Sequence, residues 1–132
     1  MKKYLAQAAF KSSDSEIKYS MYIGRWQPWH QGHRWLIDQR LDDGKNVLIC
    51  IRDIEPDGKN PWTSKEVEAN LQIELKDLVE QGRVKIVIIP DIESINIGRG
   101  VGYDIIEHVP PEKIRDVSAT NIRKQMRKDG KL

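Results

Sequence analysis

Residues 20–37 read SMYIGRWQPWHQGHRWLI, and this stretch decides how the rest of the chain can fold. An apolar run stops at Gly24, a polar turn with a proline follows, and an apolar pattern of helical spacing begins near His33. The stretch therefore predicts a strand, a turn and a helix in direct succession. His30 and His33 are three residues apart at the start of that helix, so their side chains share one face.

The start of this helix is also a predicted anion site. Its first backbone N–H groups have no partner within the helix and lie at the positive end of the helix dipole. Two imidazoles placed there, those of His30 and His33, complete a site suited to a polyphosphate. We therefore expect the first turn of the helix to bind phosphate groups.

Strand-like and helix-like segments alternate along the remaining chain. The expected strands are 18–23, 46–51, 84–89 and 103–109, and the expected helices are 32–41, one from Thr63 to a stop at Gln81, and 120–128. Strands separated by helices favour a parallel sheet with right-handed crossovers. The sequence thus predicts an α/β fold, an open parallel sheet with helices on both faces. Residues 1–17 are expected to be an N-terminal extension and residues 18–132 a single domain.

The composition bounds the class of protein. A chain of 132 residues is long enough for one domain with a real core. No apolar stretch approaches the length that crosses a bilayer, and no clear signal-peptide cleavage site follows the first residues, so we expect a cytoplasmic protein without a membrane partner. A net charge of +2 is too small to favour nucleic acid as a partner. The single cysteine, Cys50, lies in an apolar run and is expected in the core.

Four separate segments are expected to meet at one edge of the sheet. Ligands of open parallel sheets bind beyond the carboxyl ends of the strands. The expected topology places four segments at that edge: the turn after Gly24, the loop 52–62, the loop 91–102 and the start of the last helix. The edge is therefore the predicted binding site.

Two motifs in these segments resemble a known family. Residues 24–33, GRWQPWHQGH, resemble the phosphate-binding signature GRFQPFHxGH of the nucleotidylyltransferase superfamily, with Trp at both Phe positions. Residues 117–123, VSATNIR, resemble the ISxTxIR segment that opens the last helix in the same superfamily. The resemblance covers roughly residues 18–128. It implies a Rossmann-like fold and a reaction in which an acceptor phosphate attacks the α-phosphate of a nucleoside triphosphate and pyrophosphate leaves, with Mg²⁺ as cofactor.

The resemblance also implies roles for the matching positions. His30 and His33 contact the triphosphate, with His33 nearest the α-phosphate, and Gly24 and Gly32 let the backbone approach the nucleotide. Ser118, Thr120 and Arg123 hold the β- and γ-phosphates. The expected catalytic residues are His30, His33, Arg123 and Lys59, and the expected nucleotide-binding residues are Gly24, Arg25, Trp26, Gly32, Arg99, Ser118, Ala119 and Thr120.

The two loops add candidates with weaker signals. Arg52 and Lys59 are candidates to bind the acceptor phosphate or the α-phosphate, and Arg52 is assigned to the acceptor. The alternative for both residues is that they are solvated charges of the loop. Residues 60–63, NPWT, keep a pattern that several relatives show as NPF followed by Ser or Thr. Arg99 is a candidate ligand of the base or acceptor. The aromatic rings of Trp26, Trp29 and Trp62 either stack on a base or pack under the loops, and His108 is expected to be structural.

Two subfamilies compete for the substrates. The compact size resembles glycerol-3-phosphate cytidylyltransferase, which slightly favours CTP and a small phosphorylated acceptor. The sequence of residues 25–28 and 88–93 instead resembles that of nicotinamide-mononucleotide adenylyltransferases, which use ATP and a pyridine mononucleotide. A non-catalytic nucleotide-binding module is the alternative of another class. By the same resemblance we expect a homodimer.

Overall fold

The computed structural model describes residues 17–100, 102–115 and 118–132. In chain order the elements are β1 (Tyr19–Gly24), α1 (Gln31–Leu41), β2 (Asn46–Asp53), α2 (Ser64–Glu74), α3 (Lys76–Glu80), β3 (Val84–Pro90), α4 (Glu112–Arg115) and α5 (Ala119–Lys128). The N-terminal extension predicted over residues 1–17 lies outside the described residues except for Ile17, and Val117 of the second motif also lies outside them.

The three strands form a parallel sheet in the order β1-β2-β3. Their register sets Tyr22, Ile49 and Ile86 side by side, so that the even-numbered residues of β1 and β3 share one face with the odd-numbered residues of β2. The core cluster consists of Trp26, Ile37, Leu41, Val47, Ile49, Ile51, Val67, Leu71, Leu75 and Val84. This arrangement confirms the predicted parallel α/β sheet flanked by helices.

Both long helices pack on that same face. The buried residues of α1 and α2 belong to one cluster with the same strand residues. Successive right-handed crossovers between strands in sequential order place their helices on one side of the sheet. The expectation of helices on both faces is therefore not met by α1 and α2. The predicted burial of Cys50 is confirmed, since its side chain is 1% exposed.

The predicted fourth strand over residues 103–109 is wrong for the described residues. This segment has no strand pairing, and Tyr103 and Ile105 are exposed. Apolar and β-branched residues favour a strand only where a neighbouring strand supplies hydrogen bonds and packing. The segment instead meets β1 through a ring contact, in which His108 stacks on Tyr22 with centroids 6.2 Å apart. This ring contact is compatible with the structural role expected for His108.

The helix expected from Thr63 to Gln81 is split in two. Thr63 accepts from the backbone N–H of Glu66 at 3.1 Å, and the Glu66 carboxylate accepts from the backbone N–H of Thr63 at 3.0 Å, which confirms the predicted capping box. The break falls at Leu75, whose φ is −115° and whose side chain is buried.

Within the described residues, no helix is long and apolar enough to cross a membrane.

Candidate active site

The two histidines of the first motif close the first turn of α1. His30 is the N-cap residue, and its Nδ1 accepts a hydrogen bond from the backbone N–H of Gly32 at 3.0 Å. In return, Nδ1 of His33 accepts from the backbone N–H of His30 at 3.3 Å. This reciprocal pair is a capping box in which histidine takes both side-chain roles. The two rings stack with centroids 3.7 Å apart and planes inclined by 22°.

These capping bonds decide which ring nitrogens carry hydrogen. A neutral imidazole has one donor and one acceptor nitrogen, and here each Nδ1 is an acceptor. The hydrogen of each ring is therefore on Nε2, which leaves one N–H donor per histidine for a ligand. Burial and the neighbouring His30 lower the pKa of His33 to about 3, and burial also lowers the pKa of His30. Both rings are thus neutral donors near pH 7.

The indole of Trp26 supports His33 from the core side. The two rings meet edge-on with centroids 4.9 Å apart, and Nε1 of Trp26 donates to the backbone oxygen of Cys50 at 3.0 Å. The backbone of Trp26 has a φ of 55°, a left-handed conformation that costs a non-glycine residue about 1–2 kcal/mol. A Cβ atom on Gly24 would come within 3.0 Å of the indole. Gly24 therefore makes room for the ring that fixes His33.

This packing gives Trp26 and Gly24 structural contacts, and their assignment to nucleotide binding stays a prediction. The side chain of Trp26 is 6% exposed and hydrogen-bonded within the core, which is the packing role considered for it. The Trp26 indole occupies the space beside Gly24. Trp29 and Trp62 are half-buried and pack against the core cluster, which is the second of the two roles considered for them.

The start of α5 lies against the same turn. Ser118 caps the helix by accepting from the backbone N–H of Asn121 at 3.1 Å. The buried guanidinium of Arg123 donates to the backbone oxygen of Gln27, and its Nη2 lies 3.5 Å from Oγ1 of Thr120. Arg123 and Gln27 are 96 residues apart in sequence. The structure thus brings the two motifs together, as the sequence predicts.

The loop between β2 and α2 is bonded both to the turn after β1 and to α5. The Asp57 carboxylate accepts from the backbone N–H groups of Asn60 and Lys59 at 2.7 and 2.8 Å, and these bonds lower its pKa. Arg127 of α5 donates to the backbone oxygen of Gly58, next to Lys59. The loop that carries Lys59 is therefore held by α5, while the Lys59 residue itself is exposed.

A cleft of about 240 Å³ opens beside the histidines. Its lining consists of His30, Gly32, His33, Leu36, Pro110, Ile114 and Arg115. Because both imidazoles are neutral, Arg115 is the charged residue of this lining. The sequence assigns no role to Arg115, which lies in the short helix α4 that the sequence pattern does not predict. Its only sequence signal is an arginine three residues before Ser118.

Further arginine charges lie near the guanidinium of Arg123. Burial lowers the pKa of Arg123, and the charges of Arg127 and Arg25 add to that effect while Asp57 opposes it. Arg25 is exposed. These groups can supply the positive charge that two neutral imidazoles lack.

Two predicted ligands stand outside this cluster. Arg52 forms an ion pair with Asp91 at 2.7 Å and also donates to the backbone oxygen of Ile92, so its guanidinium joins β2 to the segment after β3. A contact from Arg52 to an acceptor would have to compete with this pair. Arg99 lies exposed in the loop after β3 and does not line the cleft. Ala119 is the half-buried first residue of α5.

Comparison with known proteins finds partial matches to two enzymes. No protein-family model matches the chain. The chain is 35% identical over 52 residues to a nicotinamide-nucleotide adenylyltransferase from Methanocorpusculum labreanum, a match that covers 38% of this chain and 31% of that protein. It is 30% identical over 83 residues to a nicotinamide/nicotinic acid mononucleotide adenylyltransferase from Acinetobacter baylyi, covering 58% of this chain and 42% of that protein.

These relatives refine the expectations from the sequence. The matched part of the chain spans less than half the length of either relative. Both relatives are named adenylyltransferases, so the preference for a glycerol-3-phosphate cytidylyltransferase is not supported and the adenylyltransferase alternative fits better. In these partial matches and in its paired motifs, the chain is similar to enzymes of the nucleotidylyltransferase superfamily.

Proposed function

We propose that this domain transfers an adenylyl group from ATP to the phosphate of a pyridine mononucleotide and releases pyrophosphate. The names of the two relatives support the substrates. The observation that carries the reaction class is the histidine capping box at the start of α1, placed against the α5 motif through the bond from Arg123 to Gln27. Such a site offers hydrogen-bond donors and positive charge, and no group within it has to act as a nucleophile.

The triphosphate would bind across the starts of α1 and α5. Nε2–H of His30 and His33 would donate to phosphate oxygens, and the hydroxyl groups of Ser118 and Thr120 would add contacts from α5. Arg123 has five N–H donors, so the bond to Gln27 leaves others for a ligand. Charged donors and helix starts together suit a polyanion better than either does alone.

The chemical step needs positioning and charge stabilisation. An oxygen of the acceptor phosphate attacks the α-phosphorus in line, and the bond from that phosphorus to the bridging oxygen breaks. Its electron pair leaves with pyrophosphate. Nε2–H of His33 would stabilise the charge that develops near the α-phosphate, since it is a fixed donor in a partly buried site.

Mg²⁺ accompanies the triphosphate in this proposal. Within residues 17–100, 102–115 and 118–132, no three His, Cys, Asp or Glu side chains form a group suited to a metal ion. The proposal therefore assigns the ligands of Mg²⁺ to phosphate oxygens and water, an arrangement that this ion commonly adopts. Lys59 and Arg52 remain candidates for the acceptor phosphate, and Arg99 for the acceptor or base. A homodimer is part of the proposal and is tested by sedimentation.

Pyrophosphate release tests the function directly. The chain is incubated with Mg²⁺, with ATP or CTP, and with nicotinamide mononucleotide, nicotinic acid mononucleotide or glycerol 3-phosphate. We expect release only with ATP and a pyridine mononucleotide, and a dinucleotide product by mass spectrometry. Faster turnover of CTP with glycerol 3-phosphate would reverse the substrate assignment. Tight ATP binding without turnover on any acceptor would instead indicate a non-catalytic nucleotide-binding module.

A further inference from the structure

Gln27 is a buried amide that is bonded at both ends to one residue of another loop. Its Nε2 donates to the backbone oxygen of Trp62 at 2.9 Å, and its Oε1 accepts from the backbone N–H of Trp62 at 3.0 Å. Gln27 is 3% exposed. Its side chain therefore replaces a backbone partner for Trp62 and fixes that loop against the turn after β1.

The backbone of Gln27 holds a second element. Its carbonyl oxygen accepts from the guanidinium of Arg123, which also reaches towards Thr120. Gln27 thus joins three segments that are far apart in sequence: the turn after β1, the β2–α2 loop and α5. These segments carry His30, three residues after Gln27, and Lys59, three residues before Trp62, in addition to the α5 motif.

We propose that Gln27 is a positioning residue whose side-chain amide sets the distance between the histidine capping box and the groups on the β2–α2 loop. This inference rests on the proposed function. Phosphoryl transfer depends on alignment of the reacting groups, and a displacement of about 1 Å can cost roughly 100-fold in rate. The amide is suited to this role because it donates and accepts at once, which neither a thioether nor an ionised carboxylate can do.

The bonding of the surroundings makes the amide hard to replace. Among the described residues, no buried polar side-chain atom lacks a hydrogen-bond partner. Removing the amide would leave both the N–H and the carbonyl of Trp62 without their partner, and a buried polar group without a bond costs about 1–3 kcal/mol. The loop would then shift to regain bonds, and Lys59 and Trp62 would move relative to His30.

The test compares two glutamines that differ in what they hold. Gln27→Met keeps the volume of the side chain and removes its hydrogen bonds. The matched control is Gln39→Met, because Gln39 is half-buried and its Nε2 donates to the backbone oxygen of Trp35 at 2.9 Å within α1. For both variants, kcat and KM for ATP and nicotinamide mononucleotide are measured well below the melting temperature, with circular dichroism to verify folding.

We expect Gln27→Met to lower kcat by about 10- to 100-fold with KM for ATP changed by less than about threefold, and Gln39→Met to change kcat by less than about twofold. Equal kcat values for the two variants would overturn the inference, because a purely structural role lowers the melting temperature and not the turnover of the folded enzyme. Absence of turnover by the unaltered chain would overturn the proposed function as well.

A second variant applies if Gln27→Met does not fold. Gln27→Glu keeps an oxygen that accepts from the Trp62 N–H and loses the donor to the Trp62 carbonyl, with Gln39→Glu as its control. We expect a fall in kcat that Gln39→Glu does not show. A Gln27→Glu variant as active as the unaltered chain would also overturn the inference.

Discussion

Two helices of this domain begin with the same arrangement of hydrogen bonds and different side chains. In α1, His30 and His33 form the capping box, and in α2 Thr63 and Glu66 form it. In both, the N-cap side chain accepts from the first turn and the N3 side chain accepts from the N-cap N–H. The Glu66 carboxylate places a negative charge at the start of α2, where it meets the positive end of the helix dipole.

The difference shows how one backbone geometry serves two purposes. The Thr63–Glu66 box satisfies the helix start and its carboxylate repels anions. The His30–His33 box satisfies the same backbone groups through Nδ1 and leaves an Nε2–H donor on each ring. Histidine is suited to this because its two ring nitrogens can accept on one side and donate on the other. The start of α1 therefore combines capping with two ring donors, which the proposed function assigns to phosphate oxygens.

The largest effect should come from removing one donor of the histidine box. We expect His33→Ala to lower kcat for pyrophosphate release by about 10²–10³-fold, the usual loss for a single donor to a developing charge. The loss of its capping bond should cost only about 1 kcal/mol of stability. His108→Ala is the control, and activity near normal in His33→Ala would contradict the role of the box.

Converting the α1 box into the α2 kind separates capping from binding. The double variant His30→Thr, His33→Glu should retain a capping box. Its free energy of unfolding should lie within about 1 kcal/mol of that of the unaltered chain. Its affinity for ATP, measured by calorimetry, should fall by about 100-fold, because two donors are lost and a carboxylate is added. His30→Thr with His33→Gln is the neutral control, and it should lose less affinity than the charged box.

The cleft beside the box supplies a smaller effect. Arg115 is the charged residue in a lining whose imidazoles are neutral, so Arg115→Ala should weaken ATP binding by about tenfold, the value of one hydrogen bond to a charged group. Arg40→Ala removes the same charge at the far end of α1, where Arg40 bonds Asp43 and Ser20, and it serves as control. Equal affinities of the two variants would exclude Arg115 from the site.

Lowering the pH should reduce the stability of the fold through protonation of His33. The pKa of His33 is lowered on folding to about 3, so the unfolded chain, with a histidine pKa near 6.5, takes up the proton first. The contribution of His33 is therefore complete above about pH 6.5 and is lost as the pH falls from there towards about 3. Urea unfolding at several pH values should show this loss, and it should shrink in His33→Asn. An unchanged pH dependence would contradict the burial of a neutral ring.

The strand–turn–helix stretch and the pairing of the two motifs could be predicted because local patterns encode them. Apolar runs define β1 to β3, and the spacing of His30 and His33 places both at one helix start. The fourth strand over residues 103–109 failed because a strand depends on a partner that no local pattern specifies. Gln27 and Arg115 were missed for a related reason, since their roles arise from contacts with Trp62 and with the cleft, far away in sequence.

The burial of Trp26 was likewise beyond the sequence pattern. An aromatic residue in the turn between a strand and a helix can face a ligand or the core, and the sequence is the same in both cases. The choice was made by its left-handed backbone and by the bond from its Nε1 to Cys50. The same indole accounts for a glycine at position 24, because a Cβ there would come within 3.0 Å of the ring.

The bond from Arg123 to Gln27 joins residues 96 positions apart, and this has a consequence for synthesis of the chain. A ribosome makes the histidine box before it makes α5. Until then the turn lacks its guanidinium partner, and closure of so long a loop is slow compared with local helix formation. A nascent chain that stops before α5 therefore carries both histidines without the α5 half of the proposed site, and we expect it to bind ATP less tightly than a chain that includes α5.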